Sequence, residues 1–207
     1  MTSLNPTKIQ LKTFTLLGLI GMTSPVPFAA LAEILNFSRD SVYGYISTLI
    51  SLVLLLLFFT GYFINQKKWS AIKILLLCSI ISCVMHIIHD CATIYFIARS
   101  YQETHFTGAF GLAVDMIIYL KWMFFYFALI QYENIAKSIK WLTLTAIIVE
   151  IVSYFFAAIS GAIDVLVLLD VCFGISVILT LALLITMFVT QVKGTFIRGL
   201  EDKQETG

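Results

Sequence analysis

The sequence predicts an all-α fold, a polytopic transmembrane helix bundle of six spans with both termini on the cytoplasmic side (N-in/C-in). Three observations predict it. Hydrophobic residues make up 60% of the 207 and charged residues only 12%, where soluble domains run nearer half and a quarter. The apolar residues fall into blocks of about 20, the length a helix needs to cross a hydrocarbon core. The blocks also lack the alternation of barrel strands, and a spanning segment must satisfy its own backbone groups, so helices are expected.

The blocks run 14–35, 44–64, 72–98, 109–131, 141–160 and 165–190. Their connections are short, so residues 1–207 are expected to form a single integral membrane domain with a short cytoplasmic tail, 192–207. The tail is polar and too short to fold alone.

Block one follows Lys8 and Lys12 and contains Pro25 and Pro27 near its centre. Each proline removes a backbone donor and disturbs the turn before it. A kink patched by neighbouring helices is one expectation. The other is a break, with a second half starting at Pro25 and aiming its positive end toward the bilayer centre, as in discontinuous transporter helices. The same block, with Ala30-Leu31-Ala32 at its end, also reads as a signal peptide. Retention as a first span is the expectation. Cleavage would leave five spans and the same orientation for the rest.

Block two carries no charged residue. Block three carries Met85-His86-Ile87-Ile88-His89-Asp90-Cys91, which places two of the three histidines and a carboxylate at membrane depth. Block four contains Asp115 and Lys121, block five Glu150 and block six Asp170. Asp164 reads as the solvated start of the last helix. Block four has no proline matching Pro25 or Pro27, so an inverted repeat finds little support. The pairs Gly18/Gly21, Gly108/Gly111 and Ala157/Gly161 read as helix-packing notches.

Orientation follows from lysine and arginine placement. Lys8, Lys12, Lys67, Lys68, Lys73, Lys137, Lys140, Lys193, Arg198 and Lys203 fall on one side of an even number of spans, and only Arg39 and Arg99 on the other. The positive-inside rule makes the first side cytoplasmic. Trp69, Trp141, Tyr62 and Tyr132 would line the inner interface, and Tyr43, Tyr45, Tyr95 and Tyr101 the outer one.

Counting from block ends at ~1.5 Å per residue puts Pro25, His86, Lys121 and Glu150 near mid-membrane. His89, Asp90, Asp115 and Asp170 fall ~5–10 Å toward the outer side by the same rise. His86 and Asp90 are an i, i+4 pair and share a helix face with Cys83 and Thr93; His89 lies about 100° off that face. Asp115 and Tyr119 are likewise i, i+4. Lys121 must find its partner on another helix, with His86 or Glu150 at matching depth. Four ionised carboxylates against one lysine would leave a net negative interior, which a low-dielectric medium does not tolerate. A bound proton, a bound cation or admitted water must resolve it, and keeping a carboxyl neutral is how proton-coupled sites are built.

Other chemistries find less support. No basic stretch is dense enough for nucleic acid. A metal would need three or four converging ligands, and neither HxxxH nor HExxH is present, so no metal is expected. His86 and His89 on one helix cannot sandwich a haem. A retinal-bearing Lys121 would ask for seven spans. GxSxG and phosphate-cradling glycine loops are absent, so no catalytic residue is assigned and no cofactor is expected. Cys78, Cys83, Cys91 and Cys172 lie in apolar blocks without a CxxC pair and read as reduced core thiols.

The leading expectation is a small proton- or cation-linked transporter or channel-like protein of a bacterial-type inner membrane. His86, His89, Asp90, Asp115, Lys121, Glu150 and Asp170 are its candidate ligand- or proton-binding residues. Its partners would be the lipid bilayer and a small ion or small molecule, with a protein partner or a homo-oligomer also compatible. The alternative is a non-catalytic membrane subunit, sensor or immunity-type factor acting through a partner. A third is an intramembrane enzyme on a lipid or quinone substrate.

Overall fold

The computed structural model describes residues 8–34, 42–66, 69–98, 117, 120–132, 134–159 and 166–196. Among these residues the regular structure is helical, with no strand. The helices are α1 (Lys8–Thr23), α2 (Pro25–Ile34), α3 (Val42–Asn65), α4 (Ala71–Ala98), α5 (Lys121–Ile130), α6 (Lys137–Ile159) and α7 (Leu166–Val192). Four contain segments long and apolar enough to cross a membrane: Gly44–Asn65, Ala71–Tyr95, Lys137–Phe156 and Val171–Val192. Block one resolves into two shorter helices, and the described end of block four forms the ten-residue apolar helix α5. Most of block four upstream of α5 lies outside the described residues.

The break between α1 and α2 has a local cause. In a continuous helix the Pro25 nitrogen would donate to the Gly21 carbonyl, and proline has no N–H to give. The Gly21 oxygen is satisfied instead by Ser24 Oγ at 3.0 Å and by Ser51 Oγ, from α3, at 2.6 Å. A serine on the next helix thus supplies the donor that the proline removed.

The chain divides into two compact units, Met1–Phe125 and Tyr126–Gly207, with the boundary inside α5. In the first unit α1 and α4 both pack on α3. Glycines allow close approach: Gly18 lies under the Phe58 ring, and a methyl group at Gly61 would overlap the ring of Phe14. Tyr62 and Thr15 join α3 to α1 by a buried hydrogen bond of 2.8 Å. Thr15 gives its proton to the Leu11 carbonyl, so the Tyr62 hydroxyl is the donor. Phe58, Phe59, Tyr62, Trp122 and Phe125 form the aromatic core, in tilted and edge-to-face contacts with centroids 4.9–6.1 Å apart.

In the second unit α6 packs on α7. Helix α7 ends in a Schellman cap: Gly194 takes a left-handed φ of 71°, and the Thr195 N–H reaches back to the Thr190 carbonyl at 2.8 Å. The capped chain then returns to α6, where the Ala136 N–H donates to the Phe196 carbonyl at 3.1 Å.

Candidate functional site

Helix α4 is two-faced. Leu76, Ser79, Cys83 and Asp90 lie on its buried face, and Ile74, Ile81, Ile88 and Tyr95 on its exposed one. Each set recurs close to every seven residues, the repeat that keeps one face aligned over two turns. Asp90 therefore points inward, only 4% exposed.

Two imidazoles approach it. His89 Nδ1 stands 3.4 Å from Asp90 Oδ1, and His86 Nε2 stands 3.7 Å from the same oxygen. The second carboxylate oxygen, Oδ2, is buried and has no hydrogen-bond partner among the described residues. The other nitrogen of His86, Nδ1, faces the ammonium of Lys121 at 3.4 Å. Lys121, the first residue of α5, is itself 8% exposed. The imidazole of His86 thus stands between a buried cation and a buried carboxylate.

Packing sets this register. Ser82, one turn before His86, donates to the carbonyl of Ile117, one turn before Lys121. Cys83 donates its S–H to the Leu52 carbonyl of α3 at 3.3 Å, which pins the other flank of α4. The Cys83 thiol is therefore occupied structurally. Side-chain exposure falls from 39% at His89 through 21% at His86 to 5% at Asp90, so the cluster has an open end at His89 and a closed end at Lys121.

Sequence depth offered His86 or Glu150 as the partner of Lys121, and the structure places His86 there. The i, i+4 geometry allowed a direct His86–Asp90 hydrogen bond; the 3.7 Å separation is longer than one. The neighbouring His89, which the face analysis set off to the side, comes nearer. Glu150 belongs to the second unit, where it accepts a hydrogen bond from Ser176 Oγ at 2.6 Å. Thr180 gives its proton to the Ser176 carbonyl at 2.8 Å, so Tyr126 donates to Thr180 Oγ1 at 2.5 Å. This buried seam of Tyr126, Thr180, Ser176 and Glu150 links α5, α7 and α6. The hydroxyl residues were not singled out from the sequence; their sign was small polar residues at helical spacing on an apolar helix. Asp115 lies outside the described residues, as does the side chain of Asp170, whose backbone is in α7. Pro25 and Pro27 occupy the first turn of α2. Among the described residues no three His, Cys, Asp or Glu side chains are grouped so as to hold a metal ion.

No protein family matches the chain, and neither a curated protein nor a solved structure matches it.

Proposed function

We propose that this is a six-span integral membrane protein, N-in/C-in, of a bacterial-type inner membrane, acting as a small proton-linked transporter or channel-like protein. Its proton-binding site is the cluster of Asp90, His86, His89 and Lys121. The observation that carries the reading is the pairing of a buried carboxylate with a buried ammonium through an imidazole, with one carboxylate oxygen left over. Ionisable groups are rare at this depth, and where they occur they mark ion and proton pathways. A purely structural clamp between helices is better served by direct, fully satisfied contacts, because a buried polar atom without a partner costs about 1–3 kcal/mol. Proton binding at Oδ2 or the donor of a transported species relieves that cost, so loading and unloading this oxygen changes the energy of the bundle.

The orientation rests on the ten-to-two split of lysine and arginine and would be tested by reporter fusions in each loop. The function is tested by reconstituting the protein in liposomes with an internal pH dye and following an imposed proton gradient. Wild-type protein is expected to dissipate the gradient, and Asp90→Asn to lose at least tenfold of that rate. Unchanged flux in Asp90→Asn would sink the proposal, and a stably co-purifying protein in its place would point to the partner-docking alternative.

A further inference from the structure

The two nitrogens of His86 face groups of opposite kind, and this restricts where its proton sits. An ammonium has only donors. The nitrogen that faces Lys121, Nδ1, must therefore be the acceptor, and the single proton of a neutral ring lies on Nε2. That nitrogen points at Asp90 Oδ1. We infer that His86 is a two-ended proton relay between Lys121 and Asp90, which interconverts an ammonium–carboxylate pair and an amine–carboxylic acid pair. The inference rests on the proton-linked reading of this site and specifies its path.

The step balances within the cluster. A proton leaves Lys121 Nζ for His86 Nδ1 while the proton on His86 Nε2 passes to Asp90 Oδ1. Lysine ends as a neutral amine, aspartate as a neutral acid, and the imidazole as its other tautomer. No oxidant, metal or further reactant is needed. Net charge is the same before and after, so the exchange never leaves an uncompensated charge in the apolar interior.

The geometry also supplies a gate. At 3.7 Å the His86–Asp90 gap must close by roughly 0.8 Å to reach an ordinary hydrogen bond. Asp90 Oδ1 is at the same time within 3.4 Å of His89. Rotation of the carboxyl therefore chooses between His86, which leads inward to Lys121, and His89, the more exposed ring. Cys83, the remaining titratable group on this face of α4, gives its proton to Leu52 and stays out of the path.

Nitrogen-15 NMR of histidine-labelled protein in nanodiscs tests this, with His86→Gln and His89→Gln assigning the signals. Wild-type His86 is expected as the neutral Nε2–H tautomer. Lys121→Met removes the donor that imposes it, so a substantial Nδ1–H population should appear, while Lys121→Arg, which keeps a donor, should retain the wild-type tautomer. A doubly protonated His86 in the wild type overturns the relay, as does a tautomer indifferent to Lys121→Met. If Lys121→Met does not fold, the wild-type tautomer and Lys121→Arg still decide. Liposome flux separates the two levels: flux with a doubly protonated or Lys121-indifferent His86 removes the relay alone, whereas the expected tautomer response without flux removes the transport reading. His86→Gln should lower flux at least tenfold.

Discussion

Asp90 has two carboxylate oxygens in different situations, and its chemistry follows from that asymmetry. Oδ1 is approached by two imidazoles, and Oδ2 by nothing among the described residues. Asparagine at this position keeps the shape but removes the titratable group, so it separates proton handling from packing. Ser51 shows a second residue-scale effect. Its hydroxyl replaces the donor lost at Pro25, and Ser51→Ala should cost about 1 kcal/mol in thermal unfolding in detergent. In a Pro25→Ala background the backbone N–H returns, and the cost of Ser51→Ala should shrink; equal costs in both backgrounds would show that the two positions are not coupled. Tyr132, just past the end of α5, is a third case. Burial pushes its hydroxyl up to about 12. The folded state therefore holds this proton more tightly than the unfolded chain. The stability it contributes should be fully present below about pH 10, the unfolded value, and be lost as pH rises toward the folded one. Ultraviolet titration of wild type against Tyr132→Phe checks this.

At the scale of elements, α1 and α3 are fitted to each other by exchange of bulk for space. Phe14 fills the notch at Gly61, and Phe58 fills the one at Gly18. A methyl group at Gly61 has to displace a whole ring, so Gly61→Ala should destabilise by about 1–3 kcal/mol. Adding Phe14→Ala should recover part of that loss, since the clash partner is gone. The break at Ser24 belongs to this scale as well. It arises where Pro25 has no N–H to give, and it persists because α3 satisfies the carbonyl that this proline strands. The end of α7 is set just as locally: Gly194 adopts a backbone conformation that costs other residues roughly 1–2 kcal/mol.

Across the molecule, large apolar side chains cover the outer faces as well as the core, and small polar ones are buried between helices. Ile74, Ile81, Ile88 and Tyr95 on α4, and Ile175, Ile178, Ile185 and Val192 on α7, are exposed, while Ser79, Ser82, Asp90, Thr143, Ser176 and Thr180 are buried. Apolar outer faces fit a bilayer as solvent, and the buried hydroxyls hydrogen-bond to helix carbonyls and to one another. Ile81→Asp, on the outer face, should impair insertion, because aspartate at the centre of a span costs about 2.5–3.5 kcal/mol on insertion scales. The fraction recovered in the membrane after alkaline extraction would show it.

How much of this was legible beforehand depended on the range of the interactions. Block lengths and apolar content alone carried the helical class and the membrane setting, because a bilayer imposes length and hydropathy on each segment separately. Lys121 could be recognised as needing a partner, since a lone ammonium in hydrocarbon is untenable. Counting residues narrowed that partner to His86 or Glu150 and could go no further, because rise along a helix gives depth but not which helices touch. Ser51 and Ser176 carried no special mark in the chain; they matter only for what faces them across a helix–helix contact. The amino-acid sequence by itself determined the solvent, the helical class and the set of ionisable groups, all of them properties of single segments. The tertiary structure alone decided that His86 stands between Lys121 and Asp90, that His89 shares the same oxygen, and that Ser51 answers Pro25. Each of these depends on packing angle and register between helices, which side-chain volume decides and hydropathy does not encode.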